Sequence, residues 1–185
     1  MKLQLDGSFD VEATPTEVFA FLTDPMRFAP LLPMFRELRE VESQRFKVIL
    51  EVGVPQIRGT VEATVTVVEL LAGTRARYKS STRHTLGMAD SDIGFELAPR
   101  GTGTRVVWRS ETLVRGTLAS IANGILMPLA KRNVQAMIDA LRTALGGGPT
   151  QAQAGNSPDD AVPIAHSGWW ARLLAVLGMG KGDSR

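Results

Sequence analysis

Residues 14–33, TPTEVFAFLTDPMRFAPLLP, contain the start and stop signals of two short helices. Thr14 can cap the first helix, because Pro15 occupies its first position and Glu17 follows three residues after the cap, as in a capping box. An Asp-Pro pair ends this helix. A second short helix is predicted over residues 26–32. Two short helices directly after a first strand are unusual, and they restrict the fold class.

Strands are predicted on both sides of these helices, because apolar and polar residues alternate there with a period of two. Residues 3–12 form the first strand, and about six more follow between residues 35 and 115. The sequence RGTGT at 100–104 predicts the turn of the last hairpin. One polar face on each strand is typical of an antiparallel sheet with one side in water and one side covered.

The cover is predicted to be a long helix over residues 117–145, where apolar side chains recur at helical spacing. Pro128 is expected to kink or break it, and GGGP at 146–149 ends it. The order of elements predicts an α+β helix-grip fold, in which a curved antiparallel sheet of about seven strands surrounds the long C-terminal helix. Because a bent sheet and a straight helix fill the space between them incompletely, a cavity is expected.

Composition excludes several classes of function. A net charge of +2, without a dense cationic patch, argues against a nucleic-acid partner. Cysteine is absent, which excludes disulfides, thiol nucleophiles and thiolate metal sites. The paired carboxylates Asp90 and Asp92 are interpreted as a solvated strand face, with a calcium or acid–base role as the alternative. We expect no metal site, no catalytic residues, no signal peptide and no membrane span.

The order of elements and residues 15–33 resemble the START-like or SRPBCC superfamily, which includes Bet v 1-type proteins. Within it the chain is most similar to the CoxG-like family, the G subunits of carbon monoxide dehydrogenase, over roughly residues 1–145. The residues that carry the resemblance are Pro15, Glu17, Val18, Phe21, Leu22, Asp24, Pro25, Leu32, Pro33, the hairpin 53–59, GTGTRVVW at 101–108 and Gly116.

The resemblance implies a non-enzymatic accessory protein that binds an apolar ligand and acts at the membrane beside a molybdenum hydroxylase of the carbon monoxide dehydrogenase type. The implied ligand is a lipid or an isoprenoid quinone, menaquinone or ubiquinone, and no covalent cofactor is expected. The alternative is a polyketide cyclase- or hydrolase-like enzyme on the same fold.

Small polar residues share the predicted inner strand faces with aromatic and aliphatic ones. This pattern indicates either ordinary strand packing or an apolar pocket whose few hydroxyls face the polar head of a ligand. A quinone, with two carbonyl acceptors and a long tail, suits the second interpretation. The predicted lining is Val48, Leu50, Val61, Ala63, Val65, Tyr78, Ser80, Thr82, Ala89, Ser91, Ile93, Phe95, Trp108, Ser110, Thr112, Ile121, Ile125, Leu129, Asn133 and Met137.

Bulky residues near the short helices are interpreted either as core packing or as a pliable gate, since methionine adapts to varied apolar shapes. The gate residues are Met26, Phe28, Leu31, Leu32 and Met34. Four cations share one face of a strand: Arg75, Arg77, Lys79 and Arg83. They indicate a solvated face or, alternatively, a docking surface for anionic lipid or an acidic partner.

The sequence divides into a ligand-binding domain at 1–145, a Gly/Ala/Pro-rich flexible linker at 146–166 and a short amphipathic segment at 167–185. A helix of ten to twelve residues in the last segment would be too short to cross a bilayer core of ~30 Å. It could lie in the membrane interface, dock into a partner's groove or fold back on its own domain. Its anchor residues are Trp169, Trp170, Leu173, Leu174 and Leu177. We expect a cytoplasmic protein, peripherally bound to the inner face of the cell membrane.

Overall fold

An antiparallel sheet of seven strands forms the body of the structure, a computed structural model that describes residues 1–54 and 57–146. The strands are β1 (Lys2–Val11), β2 (Phe35–Arg39), β3 (Arg45–Val54), β4 (Ile57–Leu71), β5 (Arg75–His84), β6 (Gly87–Arg100) and β7 (Gly103–Gly116). Their order across the sheet is β1-β7-β6-β5-β4-β3-β2, so the first strand pairs with the last. The predicted α+β fold with about seven antiparallel strands is confirmed.

Two short helices, α1 (Pro15–Leu22) and α2 (Pro25–Phe28), follow β1, and a single 3₁₀ turn (Ala29–Leu31) follows them. The capping box at the start of α1 is present, because the Thr14 backbone N–H donates to the Glu17 carboxylate at 2.8 Å and the Thr14 hydroxyl accepts from the Glu17 backbone N–H. Asp24 caps α2 by accepting from the backbone N–H of Met26 at 2.9 Å. The Asp-Pro pair therefore ends one helix and begins the next.

The long C-terminal helix is α3 (Met127–Ala144), and it is shorter than predicted. Residues Thr117–Ile121 form a 3₁₀ helix and residues Ala122–Leu126 a π-helix, so the expectation of α-helix from residue 117 is wrong for this first part. Pro128 lies in the first turn of α3, where its missing N–H costs no intrahelical hydrogen bond. The expected break is therefore the start of the regular helix.

Buried side chains form three separate apolar clusters. The first cluster joins β1, β6, β7, α1 and α3: Phe9, Val11, Val18, Phe21, Leu97, Val106, Ile138, Leu141 and Leu145. The second consists of Leu3, Val114 and Leu118, and the third of Ala29, Phe46 and Val48. Because α3 contributes its buried side chains to the first cluster alone, the three clusters leave the middle of the sheet without a common core.

The predicted linker from residue 147 to 166 and the predicted C-terminal segment 167–185, with its anchor residues from Trp169 to Leu177, lie outside the described residues. In the described part, no helix is long and apolar enough to cross a membrane.

Met34, at the end of the helical interruption, has a φ of +65°. Its carbonyl accepts a hydrogen bond from the backbone N–H of Glu51 at 2.8 Å, which fixes this conformation against β3. Side chains other than glycine pay a steric cost in the left-handed region.

We expect Met34→Gly to be more stable than Met34→Ala by about 1 kcal/mol, because both variants remove the side chain and only glycine accepts this backbone without strain. Urea unfolding of the two variants measures the difference. The matched pair is Leu32→Gly and Leu32→Ala, since Leu32 has a φ of −64°. There the order should reverse, and equal stabilities at position 34 would contradict the argument.

Candidate functional site

The strand register places the predicted sheet residues of the pocket on one face of the sheet. Residues directly opposite each other on neighbouring antiparallel strands point to the same side. The opposed pairs are Val48–Ala63, Leu50–Val61, Val65–Ser80, Tyr78–Ile93, Ser80–Ser91, Thr82–Ala89, Ser91–Thr112, Ile93–Ser110 and Phe95–Trp108. Phe95 contacts Phe19 of α1 edge to face, with ring centroids 6.3 Å apart. The shared face is therefore the covered, concave one.

The middle of this concave face is not filled by packed side chains. It is formed by seven residues, which we call the central patch: Ser80, Thr82, Ala89, Ser91, Ile93, Ser110 and Thr112. All are half-buried or exposed, and none belongs to an apolar cluster. Ile93 retains 38% of its surface accessible although it faces the concave side. The hydroxyls of Ser91 and Thr112 are hydrogen-bonded to each other at 2.9 Å.

Other predicted lining residues are packed in the core. Val48 is only 2% exposed and belongs to the third cluster, and Val61 and Ala63 are also buried. Tyr78, Phe95 and Trp108 are half-buried, as are Leu50 and Val65. The five predicted helical residues are all half-buried: Ile121, Ile125, Leu129, Asn133 and Met137. Of these, Met137 packs against the first cluster and Ile121 against the second.

The predicted gate residues do not behave as one group. Met26 is 65% exposed, whereas the other four are half-buried. Leu31 packs against the first cluster and Leu32 against the third. Beside them, the Arg27 guanidinium lies 4.7 Å from the centre of the Phe21 ring. Core packing explains Leu31 and Leu32, and a gating role for the set stays a prediction.

Trp108 has a contact that the sequence did not reveal. It lies opposite Gly7 of β1, where a Cβ atom would come within 3.1–3.3 Å of the indole ring. Glycine therefore leaves room for the indole on the concave face. Its Nε1 atom is buried without a hydrogen-bond partner. Only the pairing of the first strand with the last brings these two residues together, and no local pattern signals it.

The outer face of the sheet is charged, but its charges are paired. Arg77 donates two hydrogen bonds to the Asp92 carboxylate, at 2.8 and 2.6 Å, and holds its pKa below the usual range. Arg75 pairs with Glu69 at 2.6 Å, and Asp90 pairs with Arg115 at 2.9 Å. These contacts place Asp90 and Asp92 on the polar outer face. They also reduce the cationic character predicted for β5.

A hollow of about 750 Å³ also lies on the outer face, around Gly94. Its rim carries arginines and carboxylates, among them Arg77, Arg109 and Asp6. Such a lining does not suit an apolar ligand. Among the described residues, no three His, Asp or Glu side chains are grouped so that they could hold a metal ion.

Tyr78 lies beside the central patch on the concave face. Its hydroxyl donates to the backbone carbonyl of Leu22 at 3.5 Å, a long hydrogen bond, and burial raises the pKa of this phenol to about 12. It is the sole tyrosine of the chain, so its ionisation can be observed directly.

We expect the ultraviolet absorbance of the Tyr78 phenolate to develop near pH 12 in the folded protein and near pH 10 in denaturant. Because the folded state binds this proton more tightly, the contribution to stability is complete below pH 10 and is lost as pH rises through 12. Near-ultraviolet circular dichroism of the same samples shows whether the chain is folded. A midpoint near 10 in folded protein would mean that the phenol is exposed.

Comparison with known proteins agrees with this architecture. A conserved protein from Geobacillus kaustophilus aligns with a TM-score of 0.71 at 19% identity, over 78% of this chain and 95% of that one. Ara h 8.0201 aligns with a TM-score of 0.59 at 12% identity, over 80% and 100%. The di-domain aromatase/cyclase StfQ from the steffimycin biosynthetic pathway aligns with a TM-score of 0.58 at 13% identity, over 78% and 51%. At such identities these likenesses show the fold alone.

A search among curated protein sequences finds no match. The family model for the carbon monoxide dehydrogenase G subunit (CoxG) matches residues 7–146, which include nearly all of the described fold. The chain therefore belongs to the CoxG family of carbon monoxide dehydrogenase, on a Bet v 1-like (SRPBCC) fold.

Proposed function

We propose that this protein is a non-catalytic accessory protein of a carbon monoxide dehydrogenase-type molybdenum hydroxylase, and that it carries an isoprenoid quinone on the concave face of its sheet. Its family supports the accessory role. Ligand binding is supported by one observation above all, the unfilled central patch with its hydroxyls and with Ile93 38% exposed.

The chemistry of the central patch suits a ligand with an apolar body and a small polar head. Phe95 and Trp108 border it on one side, and Leu50 and Val65 lie beyond β5 on the other. Apolar walls with a few placed polar groups are typical of small-molecule sites. The hydroxyls can donate to a quinone carbonyl, while the isoprenoid tail requires only apolar contact.

A cyclase-like enzyme on the same fold is the second candidate, supported by the likeness to StfQ. Such an enzyme needs a general acid or base close to the bound substrate. On the concave face of the described strands, the titratable side chains are Tyr78 and His84. The Tyr78 hydroxyl is bonded to a backbone carbonyl, and the Nδ1 of His84 accepts from the backbone N–H of Leu86 at 3.2 Å. This pair offers little for acid–base catalysis, which favours the carrier.

The C-terminal segment supplies the attachment in this proposal, on sequence grounds. Trp169 and Trp170 open an apolar run in which Arg172 is the charged residue before Lys181. Tryptophan favours the boundary between lipid headgroups and acyl chains. A short helix of this kind would hold the carrier at the membrane surface, where isoprenoid quinones reside, and reversibly enough to meet the dehydrogenase.

We expect organic extraction of the purified full chain, followed by mass spectrometry, to recover an isoprenoid quinone. Ala89→Trp should lower the bound quinone by roughly tenfold or more, because the indole fills the space over the central patch and a clash costs more than one decade of affinity. The thermal midpoint should change little, since Ala89 belongs to no packed cluster.

The matched control is Thr66→Trp, because Thr66 is exposed on the outer face opposite Lys79. This variant should retain the bound quinone. Equal loss of quinone in both variants, or no quinone in the wild-type extract after loading with menaquinone, would contradict a ligand site on the concave face.

We expect Trp169→Ala with Trp170→Ala to weaken binding to liposomes by about a hundredfold, since two half-buried indoles contribute about 3 kcal/mol. Co-sedimentation of the full chain with neutral and with anionic liposomes measures the loss. Gln151→Ala with Gln153→Ala is the control in the same tail, without change of charge or apolar area. Undiminished binding of the tryptophan variant would exclude the segment as the anchor.

A further inference from the structure

Trp108 carries an unpaired polar atom in an apolar setting. Among the described residues, its Nε1 is the one buried side-chain nitrogen or oxygen that has no hydrogen-bond partner. Buried N–H groups are almost always paired, because leaving one unpaired costs its full desolvation. Phenylalanine would fill much of the same space without that cost. The indole nitrogen therefore calls for a partner that the folded chain itself does not provide.

The position of the indole is fixed on one side by backbone. Gly7 lies directly opposite Trp108, and an added Cβ would meet the Cζ2, Cε2 and Nε1 atoms at 3.1–3.3 Å. The ring thus lies flat against a strand that has no side chain at this point. Glycine in a strand commonly marks such a close approach.

The same strand carries the indole to the edge of the central patch. Ser110 follows Trp108 by two residues on the concave face, about 7 Å along the strand. Ser110 lies opposite Ile93, whose side chain is 38% exposed. An N–H donor and a hydroxyl therefore border the accessible apolar surface of Ile93. This spacing suits a flat ring with a carbonyl oxygen at its edge.

We propose that the Nε1–H of Trp108 donates a hydrogen bond to a carbonyl oxygen of the bound ligand, and that this bond selects carbonyl-bearing ligands over plain isoprenoids. The proposal rests on the proposed function, since it assigns the polar contact of the same site. Because the nitrogen is covered in the ligand-free chain, the indole turns slightly over Gly7 when the ligand enters. Trp108 is then a specificity-determining residue, and Gly7 is the position that allows it to act.

Binding of two matched compounds to the full chain tests the donor. One is menaquinone with a single isoprenoid unit, and the other is the naphthalene of the same carbon skeleton without either carbonyl oxygen. Trp108→Phe should weaken binding of the quinone about tenfold, the loss expected for one hydrogen bond in a buried site. Binding of the naphthalene should stay the same. Trp169→Phe, the control, should alter neither dissociation constant.

The indole N–H signal of the wild-type chain gives a second measurement that needs no folded variant at position 108. The chain has three tryptophans, so its ¹⁵N spectrum contains three indole signals. Trp169→Phe and Trp170→Phe identify two of them, and the remaining one belongs to Trp108. That signal should move downfield and exchange more slowly with solvent when the quinone binds, and the naphthalene should leave its exchange rate unchanged.

The outcomes separate this proposal from the proposed function. If the quinone binds the wild type and Trp108→Phe equally and the indole signal does not move, the donor role is wrong, while a quinone carrier remains supported. If the wild type binds neither compound, both proposals fail. A tenfold loss for both compounds would show that the ring contributes packing and not a hydrogen bond, which also overturns the donor role.

Discussion

The limited reach of one helix over a seven-stranded sheet determines how the rest of this protein is arranged. The eighteen residues of α3 span about 27 Å along a rod roughly 10 Å wide, whereas seven strands extend about 29 Å across the sheet. The helix therefore covers only part of the concave face. Its buried side chains, Ile138 and Leu141, pack over β1, β6 and β7 together with α1. The 3₁₀ and π-helical residues and the short helices cover other margins of the sheet.

This arrangement separates stability from binding. The fully buried side chains, such as Val18, Val106 and Leu141, belong to clusters at the margins of the concave face. The central patch contains small and half-buried residues that no cluster includes. Substitutions there should cost little free energy of unfolding, since packing is sparse. A carrier requires such a region, because a ligand can enter and leave only where the protein's own side chains do not fill the space.

Local signals in the sequence predicted the parts of the fold that local interactions determine. The capping box at Thr14 and Glu17 begins α1, and strict alternation predicted the strand faces that the register confirms for Tyr78 and Ile93. Contacts between distant residues were not predictable in this way. The neutralisation of Arg77 by Asp92 and the seating of Trp108 against Gly7 depend on which strands pair. The irregular helix at 117–126 was also missed, because its apolar spacing resembles that of an α-helix.

The most direct test of the account is where a quinone lies on the folded chain. Isotope-filtered nuclear Overhauser measurements with unlabelled menaquinone and the labelled full-length protein report which methyl and hydroxyl-bearing residues are within contact. The account predicts contacts to Ile93 and to Ser110 on the concave face. Contacts confined to Val107 and Leu113, which are exposed on the outer face, would contradict it.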